Sequence, residues 1–268
     1  MVDNKFYVID AHCHVYPEAI AEKAAKATGN FYGEMPYGKG TVADLIENGK
    51  KAGVDRFIVQ SVATTKAQVR KINEFIAREV SENSDTLYGL GTMHPESDDI
   101  PGDFEHLKSL GLKGIKLHPD IQGFKIDDYR CLKIYELCER DGLPLLLHAG
   151  DYRYDFSNPN RLIPILKIYT GLTVIGAHFG GWSIWEDASR QLADIPNLYV
   201  DCSSSLSYIK PETATEIIKR YGTDRVLFGT DYPLHSPQNE MQILTSLGFG
   251  EEDYKKIFSQ NAIKVYKL

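Results

Sequence analysis

Cysteine is scarce in this chain, with four in 268 residues (Cys13, Cys131, Cys138 and Cys202) and no C-x-x-C pair. That excludes a disulfide framework and makes a reduced, cytoplasmic protein the expectation. Positive charge is in deficit as well. The 30 Lys+Arg against 37 Asp+Glu leave a formal charge of −7, so a nucleic-acid backbone would meet no electrostatic attraction. No apolar run approaches the ~20 residues of a membrane span. Met1–Lys5 leads into a stretch broken by Asp10, His12 and His14, unlike a signal peptide. Neither a membrane nor a nucleic acid is an expected partner. No Gly-rich phosphate loop follows the first apolar run, and no Pro/Ser-rich linker divides the chain. With 43% hydrophobic and 25% charged residues, the composition is that of a globular protein, expected to form one domain over residues 1–268.

What the chain does have is a regular succession of apolar runs. These are FYVIDAH (6–12), RFIVQS (56–61), LYGLGTMH (87–94), KGIKLH (113–118), LPLLLH (143–148), LTVIGAH (172–178), LYVDCS (198–203) and RVLFGTD (225–231). Lacking clean alternation, they suit strands buried on both faces. Between them lie segments with helical spacing, among them 41–53, 67–80 and 129–142. Gly53, Gly111, Gly142, Gly171 and Gly222 stand where left-handed helix caps would fall. Eight strand–helix units in an uninterrupted chain predict an α/β fold, a single (β/α)8 TIM barrel, with an open doubly wound sheet as runner-up. Residues 15–40 fit least well. They read as an extra helix, PEAIAEKAAKATGN, and a Gly/Tyr-rich loop, FYGEMPYGKG. This extended loop after strand 1 is either a lid or a plain insertion.

Six of the eight histidines, His12, His14, His94, His118, His148 and His178, fall at or just beyond strand ends; His106 and His235 do not. A barrel gathers its strand ends at one mouth, so these side chains are expected to converge. His12 and His14, two apart on a strand, point to one face and would bind an ion from a rigid element. His148 and Asp231 would complete a set of three nitrogens and one carboxylate oxygen. Such a set suits Zn2+, with Mn2+ or Fe2+ as alternatives, rather than Ca2+ or Mg2+.

The strand-1 VIDAHCH, strand-5 LLLHAG, strand-6 GAHFGG and strand-8 LFGTDYP resemble the amidohydrolase superfamily, and within it the amidohydrolase-related branch of hydrolases, lactonases and nonoxidative decarboxylases. The resemblance runs from Val8 to the closing QNAIKVYKL. It implies a (β/α)8 barrel, with His12, His14, His148 and Asp231 as metal ligands. His178 is then either a second-metal ligand or a catalytic residue. At the end of strand 4, Lys116 is either a carboxylated bridge between two ions or an ion-paired cation, and His118 either a ligand or a substrate contact. One ion is expected rather than two.

On this reading the activity is hydrolysis of an amide, ester or lactone in a small molecule, with a water activated by the ion, Asp231 as its base and His178 stabilising the developing charge. The same site also serves nonoxidative decarboxylation of a small carboxylic acid, or hydration, as alternatives. His94, Arg153, Arg161 and Trp182 are candidate substrate contacts, each weighed against a structural or surface role. Asp10 either buttresses a ligand or makes a buried hydrogen bond. A homo-oligomer is an open alternative to a monomer.

Overall fold

The structure, a computed structural model, describes residues 5–268. Eight parallel strands, each followed by helix, run through the chain: β1 (Ile9–His14), β2 (Arg56–Gln60), β3 in two runs (Leu87–Gly89 and Gly91–Thr92), β4 (Ile115–Leu117), β5 (Leu145–Leu147), β6 (Val174–Gly176), β7 (Leu198–Asp201) and β8 (Val226–Leu227). Neighbours pair in parallel from β1 to β3 and from the second run of β3 to β8. Across the break in β3, Leu90 N donates to Val59 O and Gly91 N to Gly114 O, both at 2.9 Å. The ring closes where Ala11 N donates to Phe228 O (2.9 Å) and Asp231 N to His12 O (2.8 Å). The predicted TIM barrel is therefore the fold.

Each strand divides its side chains between two cores. Ile115 and Leu117, Leu145 and Leu147, and Val226 and Phe228 pack outward against the helices. Ile9, Ala11, Ile58, Leu90, Leu146, Ile175 and Leu227 fill the barrel, and Val265 and Tyr266 of the C-terminal helix Asn261–Tyr266 pack with them. With one end of the barrel occupied by apolar side chains, the polar residues collect at the C-terminal ends of the strands.

β1 departs from regular alternation. Its pairing with β2 shifts register between Asp10 and Cys13. Ile9 and Ala11 point into the barrel, while Cys13 and Val15 point out. The extra residue turns His12 and His14 inward, as bulges beside active sites do. A regular strand would have placed Asp10 with them. Instead its carboxylate accepts from Thr230 N (3.0 Å) and Thr230 Oγ1 (2.6 Å), tying β1 to the segment that carries Asp231.

The segment after β1 forms helix α1 (Glu18–Tyr32), whose left-handed cap is Gly33 (φ 76). Helix α2 (Val42–Ala52) begins at Thr41, whose side chain accepts from Asp44 N, and ends at Gly53 (φ 90). Helix α3 (Val69–Glu82) follows β2. Gly142 caps left-handed (φ 61) as expected, whereas Gly171 is not among the positive-φ residues. No helix among the described residues is long and apolar enough to cross a membrane.

One buried acid makes stability depend on pH. Glu240, on the helix Pro237–Ser246, is fully buried; Ser207 donates to one carboxylate oxygen and the other has no hydrogen-bond partner. Burial pushes this carboxyl up from 4.5 to about 7. Between those values the folded state holds the proton longer than the unfolded chain does, so stability falls as pH rises, by on the order of 3 kcal/mol. Glu240→Gln keeps the shape and removes the charge. It is expected to stabilise the protein by about that amount at pH 8 and to change nothing at pH 4, as read from urea midpoints at the two pH values.

Candidate functional site

Three ligand atoms meet at the mouth of the barrel. His12 Nε2 lies 3.3 Å from His14 Nε2 and 3.3 Å from Asp231 Oδ1, and His14 Nε2 lies 3.5 Å from the same oxygen. A tetrahedral ion with bonds of about 2.0–2.2 Å spaces its ligand atoms roughly 3.3–3.6 Å apart, so the three sites fit one divalent cation. Their chemistry fits as well. Burial holds the His14 imidazole well below its usual range, leaving it neutral with a lone pair. Burial opposes ionisation of Asp231, but the neighbouring histidines, at the acidic pH where a carboxyl titrates, and the Lys116 ammonium outweigh it and hold the carboxyl low. Lys116 Nζ is fully buried 3.1 Å from His12 Nε2, a cation beside the same lone pair.

The ligand atoms are oriented from behind. Asp201 Oδ2, at the end of β7, accepts from His12 Nδ1 at 2.8 Å, which fixes the proton on Nδ1 and frees Nε2. The second oxygen of Asp201 accepts from His178 N (3.0 Å), Ser203 N (3.1 Å) and the Ser203 hydroxyl. Ser204 Oγ donates to Asp231 Oδ2 at 2.7 Å, leaving Oδ1 to the cluster.

A second chain of contacts follows from which atoms can only accept. His178 Nδ1 lies 3.0 Å from the Ser203 carbonyl, so it carries the ring proton. Its Nε2 then accepts from His148 Nδ1 at 3.1 Å. His148 Nε2 is left as a bare lone pair, buried, without a hydrogen-bond partner, and 3.4 Å from Asp120 Oδ2. The His118 ring stacks on His148 at 3.9 Å. His118 Nδ1 accepts from Ile121 N, so its Nε2 donates to the Tyr32 hydroxyl oxygen at 2.6 Å. The hydroxyl proton of Tyr32 is thereby free for a ligand.

The structure thus joins His12, His14 and Asp231 in one group and sets His148 in an adjoining one with His118 and Asp120, bridged by His178. A cavity of about 500 Å3 opens over the first group and is lined by His12, His14, Lys116, His118, His178 and Asp231 together with residues of α1 and α3. The residues 15–40 therefore do more than extend a loop, because α1 forms one wall.

His94, Arg153, Arg161 and Trp182, the candidate substrate contacts, are not among the residues that line this cavity. His94 Nδ1 accepts from Glu96 N. Arg161 is committed to Asp127 and Asp155. Arg153 forks onto Asp151 and donates to Phe31 O (2.6 Å), its guanidinium 4.9–5.7 Å from the rings of Phe31, Tyr32, Tyr154 and Trp182. It latches the end of α1 to the loop after β5 instead of meeting a ligand. Asp201, Asp120, Ser203, Ser204 and Tyr32 had no place in the sequence-derived site. A carboxylate at the end of strand 7 was the one signal available for Asp201.

Comparison with known proteins agrees with this geometry. Residues 9–268 match the amidohydrolase family. The 2-amino-3-carboxymuconate-6-semialdehyde decarboxylase of Dictyostelium discoideum is 28% identical over 239 residues, covering 74% of this chain; the chain spans 66% of that protein's length. Gamma-resorcylate decarboxylase of Polaromonas sp. (strain JS666) is 23% identical over 268 residues, covering 78% of this chain and 80% of its own. Among solved structures, a dihydroxybenzoic acid decarboxylase from Polaromonas sp. JS666, with bound manganese and the inhibitor 2-nitroresorcinol, superposes with a TM-score of 0.76 at 18% identity over 98% of this chain and 97% of its own. By its barrel and by this whole-chain match, the protein belongs to the amidohydrolase family.

Proposed function

We propose that this protein is a metal-dependent nonoxidative decarboxylase of a small carboxylic acid, with His12, His14, Asp231 and the bare Nε2 of His148 holding one divalent ion. The names of the two curated relatives favour this over the hydrolysis that the sequence alone put first. The donor set suits Mn2+ or Zn2+, and the manganese in the related structure makes Mn2+ the first ion to supply. The observation that carries the reading is the cavity, which sets its buried charged groups, Lys116 and Asp231, beside the donor cluster and is otherwise largely apolar apart from the exposed Lys71.

A bound divalent ion supplies positive charge that holds the substrate carboxylate and draws electron density from a neighbouring oxygen. In the reaction the C–CO2− bond breaks, its electron pair stays on carbon, carbon dioxide leaves and the carbon takes a proton. Apolar walls offer the substrate's charge little solvation away from the polar end, which orients it. Tyr32 donates its hydroxyl proton to a substrate oxygen. The incoming proton is held on Lys116 Nζ. Burial brings this ammonium down to about 8, against the pull of Asp231 and Asp201. Burial pushes His178 to about 3 and His14 and His118 well below their usual range, and it pushes Tyr16 up to about 12. Lys116 is then the acid that is charged at neutral pH and still able to release its proton.

The test supplies Mn2+-loaded protein with aromatic and unsaturated acids and reads carbon dioxide by membrane-inlet mass spectrometry, with lactones and amides assayed in parallel. Hydrolysis of the latter without carbon dioxide from any acid would overturn the proposal. Lys116→Gln is expected to slow carbon dioxide release by ~10²–10⁴-fold at unchanged metal content. An unchanged rate would remove Lys116 as the proton source.

A further inference from the structure

Helix α1 carries two apolar stripes. Ala21, Ala25 and Gly29 are buried. A second stripe, Ile20, Ala24, Ala27 and Phe31, repeats at helical spacing and faces the cavity, with Ile20 52% exposed. Across the opening stand Ile72 and Phe75, one helical turn apart on α3. A solvent-facing stripe would carry polar residues, as α1 does at Glu22, Lys23 and Lys26. The second stripe instead walls a cleft continuous with His12, His14 and Lys116. At about 500 Å3 the cavity has room for on the order of seventeen water-sized groups, about twice the non-hydrogen atoms of a benzoate. No arginine is among its described lining residues, and its lysines are Lys116 beside the donor cluster and the exposed Lys71, which stands near Thr64 and Gln68.

We propose that this cleft seats the tail of the substrate, and that the substrate is a monocarboxylic acid with an elongated apolar chain, its carboxylate at Lys116 and the donor cluster and its chain between α1 and α3. The proposal rests on the decarboxylase reading for its head group. A compact acid would leave the stripe on α1 uncovered, and a second carboxylate would find no deep cation.

The experiment is calorimetric titration of Mn2+-loaded protein with straight-chain carboxylates from butanoate to decanoate, and with octanedioate. Affinity is expected to rise about fourfold per methylene until the cleft is filled, and octanedioate to bind at least about tenfold more weakly than octanoate. Ala27→Trp and Ile72→Trp, substitutions on opposite walls at positions that are not fully buried, are each expected to stop the gain after the first few carbons. A flat series in the unmodified protein, a gain unaltered in both variants, or octanedioate binding as well as octanoate would overturn the assignment. Chemistry is read separately. If no acid in the series or among the aromatic acids releases carbon dioxide while the chain-length gain holds, the decarboxylase reading fails and the tail site stands.

Discussion

Purified His12→Ala protein is expected to hold less than about a tenth of an equivalent of metal where the unmodified protein holds one, and to lose more than ~100-fold in carbon dioxide release. His12 Nε2 lies 3.3 Å from both His14 Nε2 and Asp231 Oδ1, so its removal breaks up this close group and leaves a cation His14, Asp231 and the His148 Nε2 of the adjoining group. Asp201→Asn is expected to act more mildly, weakening metal affinity ~10–100-fold while turnover recovers at saturating metal. Its carboxylate accepts the Nδ1 proton at 2.8 Å. An amide can offer N–H there instead, which favours the other tautomer and puts a proton on the lone pair the ion needs. Plasma mass spectrometry on protein purified without chelators gives the stoichiometry, and competition with a chelating dye gives the affinity. A full equivalent retained by His12→Ala would remove that residue from the ligand set. Equal affinities in Asp201→Asn and the unmodified protein would show that His12 needs no partner to hold its tautomer.

That pairing also shows where sequence reading ran out. The barrel was legible because burial on both faces leaves a largely apolar run in each strand, and each of the eight runs overlaps an observed strand. The convergence of histidines was legible because strand ends are local features and the barrel brings them together. Asp201 acts on a residue 189 positions away, and nothing local in LYVDCS marks that. The bulge in β1 was hidden for a related reason. Alternation along VIDAHCH is consistent with a regular strand, and only pairing with β2 reveals the shift that turns His12 inward. The setting of Arg153 was not legible because a loop arginine near a histidine looks the same in sequence whether it binds an acid or stacks among four rings. Its commitment to Asp151 and Phe31 depends on α1 folding back over the barrel.

The GGW sequence after His178 leads to the largest expected effect on stability. What approaches the second of its glycines, Gly181, is protein. Gly150, two residues beyond His148, has φ 78, and a Cβ built on it would lie 2.5 Å from Gly181 C and Cα and 2.6 Å from Trp182 N. On the other side, a Cβ on Gly181 would lie 2.2 Å from Ala188 Cβ. The loops that carry His148 and His178 touch backbone to backbone, and Trp182 N donates to Ala149 O at 2.8 Å. Gly150→Ala therefore carries two costs, about 1–2 kcal/mol for a left-handed non-glycine residue and about 1–3 kcal/mol for displacing main chain that has no rotamer to yield. Gly248→Ala separates them, because Gly248 also has positive φ (77) but nothing within 4 Å of its added Cβ. That variant is expected to show only the first cost. Urea denaturation should place Gly150→Ala below Gly248→Ala by the second. Because the displaced loop begins at His178, carbon dioxide release should fall in Gly150→Ala even under conditions where it is fully folded, and remain normal in Gly248→Ala. Equal midpoints for the two variants would mean that the loops near His148 and His178 give way without cost, and that their contact does not hold the two histidines together.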